Sequence, residues 1–439
     1  MLRRCLTTSA VLLSLVSVAV YADDWPQWMG PHRDGLWQET GVIDSIPDSG
    51  LTVKWRTPVG LGYAGPAVAG HRVFVLDYQL TDGKVAANPG TSDKLAGRER
   101  LVCLNADTGE ILWEHGYDQP YSISYGSGPR TTPTVDGDHV YALGAEGRLS
   151  CVAADGGKLV WEHDLKQEYG AATPYWGHSA HPLVHGNLLI SLVGGDDSGV
   201  VAFEKQTGKE VWRALSGKEI GYCPPTMATG TKTPQLLIWL PSEIHGLNPE
   251  TGAVLWSVPL KPDFGMSIAA PAQQGRFAFV AGVRNQSVLL ELADDAAKPK
   301  ELWRGTGSTS VSTSHTGILI VDNTIFGCDD KGWLRAVDLP TGDRLWETLA
   351  ATKLERPANY GTVFEVKNGD RWFLFADNGD LAVAEIDRNG YHEHGRFHVL
   401  EPTADAFGRA VVWSHPAFAQ RCLFARNDKE IVCVSLESK

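Results

Sequence analysis

Several things are scarce or absent in this 439-residue chain. Basic residues are outnumbered, with Lys and Arg totalling 39 against 52 Asp and Glu, a formal net charge of −13. Removing Arg3 and Arg4 with a leader peptide would make it −15. That balance argues against nucleic acid and anionic membrane as partners. Seven cysteines are present, none adjacent to another and none in a C-x-x-C pair, so the common zinc and thiol-redox spacings are missing. There is no C-x-x-C-H, which excludes covalently attached haem by that motif. Beyond residue 22 no apolar run is long enough to cross a bilayer, so no transmembrane segment is expected. No long window has helical periodicity.

Residues 1–22 read as a secretory signal. Arg3 and Arg4 precede an apolar run from Ala10 to Val20, and Val20 and Ala22 supply small residues before Asp23-Asp24. Cleavage near Ala22 would give a periplasmic or secreted protein. Cys5 lies before the apolar run, so it is not a lipid-attachment cysteine. Cys422 and Cys433 flank a hairpin turn at Asn427-Asp428 and are expected to sit opposite each other, as a cross-strand disulfide or as two buried thiols.

What the chain has in quantity is a repeat. Arg100 to Trp113 reads as a short alternating strand, a tight turn and a strand ending in tryptophan. The pattern returns at Arg148–Trp161, Val200–Trp212, Glu243–Trp256 and Trp333–Trp346. Gly109, Gly157, Gly208, Gly252 and Gly342 each stand four residues before the tryptophan, where a tight turn needs positive φ. A looser copy ends at Trp303, with Pro299 in the glycine position. Successive tryptophans lie, by subtraction, 48, 51, 44, 47 and 43 residues apart. A period in the forties built of strands indicates radial repetition.

A second series supports the count. Pro66, Pro133, Pro182, Pro225, Pro271 and Pro416 each mark a short strand upstream of a repeat, and Leu319 and Phe364 fill the same place in two more. Proline cannot donate to a sheet ladder, so it belongs at an edge such as the innermost strand of a propeller blade. Trp55 stands in a strand with no repeat before it, while Glu430–Leu436 has no fourth strand after it. Pairing the two would close the ring. The expected fold is an all-β, eight-bladed propeller over residues 51–439 with four antiparallel strands per blade. Residues 23–50, with Trp25, Trp28 and Trp37, form an extended lead-in that either buries its aromatics or offers them to a partner. Phe397 or a neighbour is expected to replace the missing tryptophan of blade 7.

The segment Leu104-Asn-Ala-Asp-Thr-Gly-Glu-Ile-Leu-Trp113 resembles the tryptophan-docking repeat of pyrroloquinoline quinone (PQQ)-type propellers. The lead-in Trp25-Pro-Gln-Trp-Met-Gly-Pro-His-Arg-Asp-Gly35 is similar to the start of exported PQQ-like repeat proteins of planctomycetes and related bacteria, as are Arg356–Thr362 and Gly408–Phe418. The resemblance covers nearly all of the chain after residue 22. It implies either a quinoprotein dehydrogenase, with PQQ and calcium in the channel, or a BamB-type assembly scaffold without cofactor. The vicinal disulfide typical of many such dehydrogenases is missing here, and so is the lipid-attachment cysteine of BamB.

Chemistry is expected at the channel mouth, where the loops entering the inner strands meet. Those loops offer Tyr63, Arg130, Trp176, His178, Tyr222, His315, Asn359, Tyr360, Arg409 and Trp413 as ligand contacts. An aromatic-lined concave mouth suits a planar or sugar-like ligand. His181 and His415 occupy equivalent places before the inner-strand prolines of blades 3 and 8. They are candidates for acid–base or metal-binding roles, or for capping strand carbonyls. Arg130 and Arg409 either clamp an acidic group or bridge backbone carbonyls. Asp196-Asp197 and Asp329-Asp330 read as solvated turns without calcium-loop spacing. Three functions follow: a monomeric exported binding or scaffold propeller, with a small molecule or envelope protein at its mouth; a PQQ- and calcium-dependent dehydrogenase; or a cofactor-free carbohydrate enzyme or sensor.

Overall fold

The computed structural model describes residues 23–438 apart from 285, 307, 308 and 314. The expected signal segment lies outside the described residues. Eight four-stranded antiparallel blades surround a central axis. Blades 1 to 7 begin with inner strands at Ala67–Ala69, Thr134–Asp136, Leu183–His185, Thr226–Met227, Ala272–Gln274, Leu319–Val321 and Val363–Asn368. Blade 8 takes three strands from the C-terminus, starting at Ala417–Ala419, and its fourth, Val53–Pro58, from the N-terminus. Trp55 pairs with Cys433, so the ring is closed by its two ends. The prolines stand immediately before the inner strands, where no ladder donor is lost.

The glycine–tryptophan spacing has a physical cause. The five repeat glycines have φ between +66° and +75°, a conformation that costs a side chain about 1–2 kcal/mol. Each also receives a tryptophan from the preceding blade. A Cβ on Gly157 would lie 2.3 Å from the Trp113 ring, and one on Gly252 would lie 2.5 Å from Trp212. The indole N–H then reaches a carbonyl of the next blade's turn, as from Trp161 to Lys205 (3.0 Å) and Trp212 to Pro249 (2.9 Å). Trp256 is the exception. The following turn carries Pro299, and Trp256 instead donates to Gln235 Oε1 of its own blade at 2.7 Å. Phe397, on the outer strand of blade 7, packs against Gly50 at the end of the lead-in.

The lead-in is buried, with Trp25, Trp28 and Trp37 each 5% exposed or less. It crosses the ring at the level of the inner strands. Trp25 exchanges backbone hydrogen bonds with Val68 of blade 1, Pro26 accepts from Val135 of blade 2, and Trp37 donates to Lys367 of blade 7. Arg33 donates to the carbonyls of His181 and Pro182 beside blade 3. The central channel is therefore stoppered by the chain's own N-terminal segment.

Two features depart from expectation. Cys422 pairs with Ser435, and Cys433 pairs with Phe424. The two cysteines are thus diagonal neighbours rather than opposite, and both are buried free thiols. The turn between Arg426 and Glu430 is asymmetric about the cysteines, which displaces the register by two residues. Asp329, read as part of a solvated turn, is buried and paired with Arg335 at 2.8 Å. No helix among the described residues is long and apolar enough to cross a membrane.

Candidate functional site

Above the stopper lies a cup of about 200 Å³. Its floor is Trp28 of the lead-in, stacked on His181 with ring centroids 4.9 Å apart and edge-on to His415 at 5.7 Å. Its wall is aromatic. Tyr63, Tyr125 and Trp413 form one side, and Trp176 and Tyr222 another. Their rings are tilted, by 41° between Tyr63 and Trp413, 55° between Tyr125 and Trp413, and 59° between Trp176 and Tyr222. His315 lies over Trp413 at 4.4 Å and meets Tyr360 edge-on.

Two excursions from the blades raise the rim. In blade 1 the second and third strands extend to Arg72–Asp82 and Asp93–Asn105, and the loop between them brings Pro89 to the cup. Tyr175 donates to the Pro89 carbonyl at 3.1 Å and Ser124 to that of Asn88 at 3.1 Å, tying this loop to its neighbours. Beside it, a hairpin of Ala404–Ala406 and Arg409–Val411, packed in one cluster with Ala87 of that loop, carries Phe407 at its tip, in the left-handed region at φ 50°. Phe407 packs on Tyr360 at 5.0 Å and also lines the cup.

Nine of the residues expected at the mouth come together in this cup: Tyr63, Arg130, Trp176 and Tyr222, with His181, His315, Tyr360, Trp413 and His415. Three do not. His178 is buried behind the wall, its Nε2 against Gly147 of blade 2. Its side chain is drawn there because its backbone N–H bonds Ala145 at 2.8 Å. Asn359 lines a second, polar cavity beside the cup. Arg409 pairs with the buried Asp377 at 2.9 Å and donates to the Asn359 carbonyl, anchoring the 404–411 hairpin to blade 7. Trp28, Pro89 and Phe407 are cup residues that sequence reasoning missed. The only trace of Trp28's role was its place in the proline- and glycine-rich lead-in.

The charges are quieter than the residue types suggest. Arg130 spends its donors on the carbonyls of Ser124, Tyr125 and Gly128, within its own loop, and lies 5.3 Å over the Tyr63 ring. It bridges backbone, not between blades but within one loop, and gives that loop its shape. Burial pushes the His415 imidazole down to about 3 and His315 to about 4. Burial, with Arg33 and His415 nearby, holds His181 well below the usual histidine range. All three are neutral at physiological pH. The Thr132 N–H donates to His181 Nδ1 at 2.9 Å, so the proton of that ring sits on Nε2.

The cup instead has donors without acceptors. Among the described residues, Trp28 Nε1, Trp413 Nε1 and Tyr125 OH are buried and unpartnered. Buried polar groups are normally satisfied. Trp37 Nε1 and Trp372 Nε1 are also unpartnered, but neither lines the cup. Calcium-held PQQ does not fit this donor set. Calcium takes hard oxygen ligands, carboxylates foremost. Among the described residues, no Asp or Glu lines the cup, and no group of three or more His, Cys, Asp or Glu could hold a metal.

Fold and mouth together define the class: an eight-bladed, tryptophan-docked propeller, closed by its N-terminal strand, with a stoppered aromatic cup. The family model described as outer membrane protein assembly factor BamB matches residues 97–230 and 241–439. The chain belongs to this family of PQQ-like propellers. No curated protein matches the sequence. The crystal structure of BamB from Moraxella catarrhalis is similar, with a TM-score of 0.56 and 14% identity over 89% of this chain and 98% of that one. Quinohemoprotein alcohol dehydrogenase from Comamonas testosteroni gives a TM-score of 0.61 and 12% identity over 95% of this chain and 81% of that one. The computationally designed Ika8 protein gives 0.53 and 12% identity over 88% and 99%. At these identities the likeness shows the shared fold.

Proposed function

We propose that this chain is an exported binding propeller that holds a small, acceptor-bearing ligand in its mouth and performs no redox chemistry there. The observation that carries this reading is the set of three buried, unpartnered donors in one aromatic cup that lacks a carboxylate. An acceptor placed there would recover hydrogen bonds of about 0.5–1.5 kcal/mol each, and ring stacking would add to them. Membership of a family described as an assembly factor is consistent with a binding rather than a catalytic role. The neutral histidines suit donation or packing more than proton transfer, which works best with a pKa near the operating pH. Export is supported by the leader-like sequence of residues 1–22.

Thermal unfolding with increasing ligand tests the reading, because binding to the folded state must raise the midpoint. A panel of neutral sugars and aromatic carbonyl compounds should include one that gives a saturable rise lost in Trp413→Ala. PQQ with calcium forms a separate arm. A saturable rise in that arm alone would overturn the non-redox reading.

A further inference from the structure

The second cavity, of about 340 Å³, opens beside the cup, and Tyr360 and Phe407 line both. Its character is opposite. Arg284, Lys331 and Arg335 line it against Asp329 and Asp330. The Asp329–Arg335 pair is internal: Asp329 also accepts the Lys331 and Trp333 backbone N–H groups, and Arg335 also meets Glu347 at 3.1 Å. The remaining charges are loosely held. Arg284 lies 3.5 Å from Asp263 with a side chain 60% exposed. The Lys331 ammonium donates to the neutral amide of Asn359. Asp330 accepts the Arg284 backbone N–H. This annex can therefore offer cationic donors to an anion and a carboxylate to hydroxyl groups.

From this juxtaposition we infer that the protein binds an acidic oligosaccharide of the uronate type, with one pyranose ring in the aromatic cup and a carboxylate-bearing ring in the annex on Lys331 and Arg284. The inference rests on the cup being a ligand site. Two features favour a sugar over a flat aromatic molecule. The two closest parallel ring pairings at the cup are already made within the protein, Trp28 on His181 and Trp413 on His315. The other ring pairs of the wall meet at 37–86° and present no parallel slot. A chair-form ring, with C–H groups on both faces, uses such inclined faces. Hydroxyls of the ring in the cup accept from the Trp28 and Trp413 N–H groups, and those of the ring in the annex donate to Asp330.

The test is intrinsic tryptophan fluorescence on the full chain, titrated with digalacturonate and with cellobiose as the neutral disaccharide of similar size. The expected result is saturable binding of digalacturonate about tenfold or more tighter than cellobiose, weakened by added salt. Lys331→Ala should lower digalacturonate affinity about tenfold more than cellobiose affinity. Lys331 is exposed, so this variant is expected to fold, and its unfolding midpoint checks that. Equal binding of the two sugars, or a Lys331→Ala variant that treats them as the parent does, overturns the acidic-oligosaccharide inference and leaves the cup intact. Binding of neither sugar, with a saturable response to 2-naphthol lost in Trp413→Ala, overturns it in favour of a flat ligand. No response to any of the three overturns both the inference and the cup reading on which it rests.

Discussion

The outer rim of the propeller and its mouth use the same side chain in opposite ways. All seven repeat tryptophans at the rim donate their indole N–H, six to a carbonyl of the next blade's turn and Trp256 to Gln235. At the mouth, Trp28 is buried and Trp413 half-buried, and the buried N–H group of each has no acceptor. A rim tryptophan closes a seam between blades. A mouth tryptophan leaves a bond to be made. Trp37 and Trp372 have unpartnered N–H groups too, so what sets Trp28 and Trp413 apart is that their rings also line a cavity.

The largest expected effect tests whether the mouth also carries structural load. Trp28→Ala removes the cup floor and a ring packed against two histidines. It should destabilise the protein by roughly 3–5 kcal/mol, the usual range for a buried aromatic, and abolish ligand response at the mouth. Chemical denaturation followed by far-UV circular dichroism checks the first part. A change under about 1 kcal/mol would mean that the lead-in is not a working stopper.

Next comes the rim. Gly157→Ala would place a methyl group 2.3 Å from the Trp113 ring at a φ of +66°. Strain and overpacking together should cost roughly 2–4 kcal/mol. Gly156→Ala is the control. Its φ is +79° but nothing lies within 4 Å, so it should cost only the conformational term, roughly 1–2 kcal/mol. Calorimetric midpoints for the two variants should differ clearly. If they coincide, the docking of tryptophan on glycine is not what fixes the repeat.

A third effect, of up to roughly 3 kcal/mol, belongs to the hairpin that raises the mouth. Burial holds Asp377 at about 6, against the pull of Arg409. Its folded-state value lies above the unfolded one, so the folded protein binds the extra proton. The contribution to stability is full below the ordinary carboxylate range and is lost as pH rises through 6. The parent protein should therefore lose stability relative to Asp377→Asn between about pH 4 and 6.5. Superimposable pH profiles would show that the anchor of the 404–411 hairpin does not titrate there.

This division also explains what the sequence could reveal. The rim is periodic because one local requirement, positive φ beneath an indole, recurs in every docked turn, and Gly109 to Gly342 display it openly. Nine mouth residues were legible because loop position relative to an inner strand fixes which end of the channel a residue faces. Trp28 was not legible as a floor, since the lead-in has no period and its path is set by contacts with distant inner strands. The partners of Arg130 and Arg409 were hidden for a similar reason. One folds back on carbonyls five or six residues away, and the other finds Asp377 at a separation of 32 residues. The offset of Cys422 from Cys433 came from two residues of register, which turn composition does not specify.

The smallest effect is the sharpest test of the comparison, because it exchanges the same residue for the same replacement in both regions. Trp113→Phe and Trp413→Phe lose the same volume and the same N–H group. At the rim the lost donor leaves the Ala154 carbonyl, 3.2 Å from it, without its partner. At the mouth the lost donor had none. The volume terms offset one another to first order. Trp113→Phe should therefore be the less stable variant by about 1 kcal/mol, the net worth of one hydrogen bond. Saturating ligand should reverse the pattern. Trp413→Phe would lose about tenfold in affinity and so gain less stability from ligand, while Trp113→Phe would bind as the parent does. Equal stabilities without ligand, together with equal affinities, would mean that the unpartnered indole at the mouth differs from those at the rim in geometry but not in purpose.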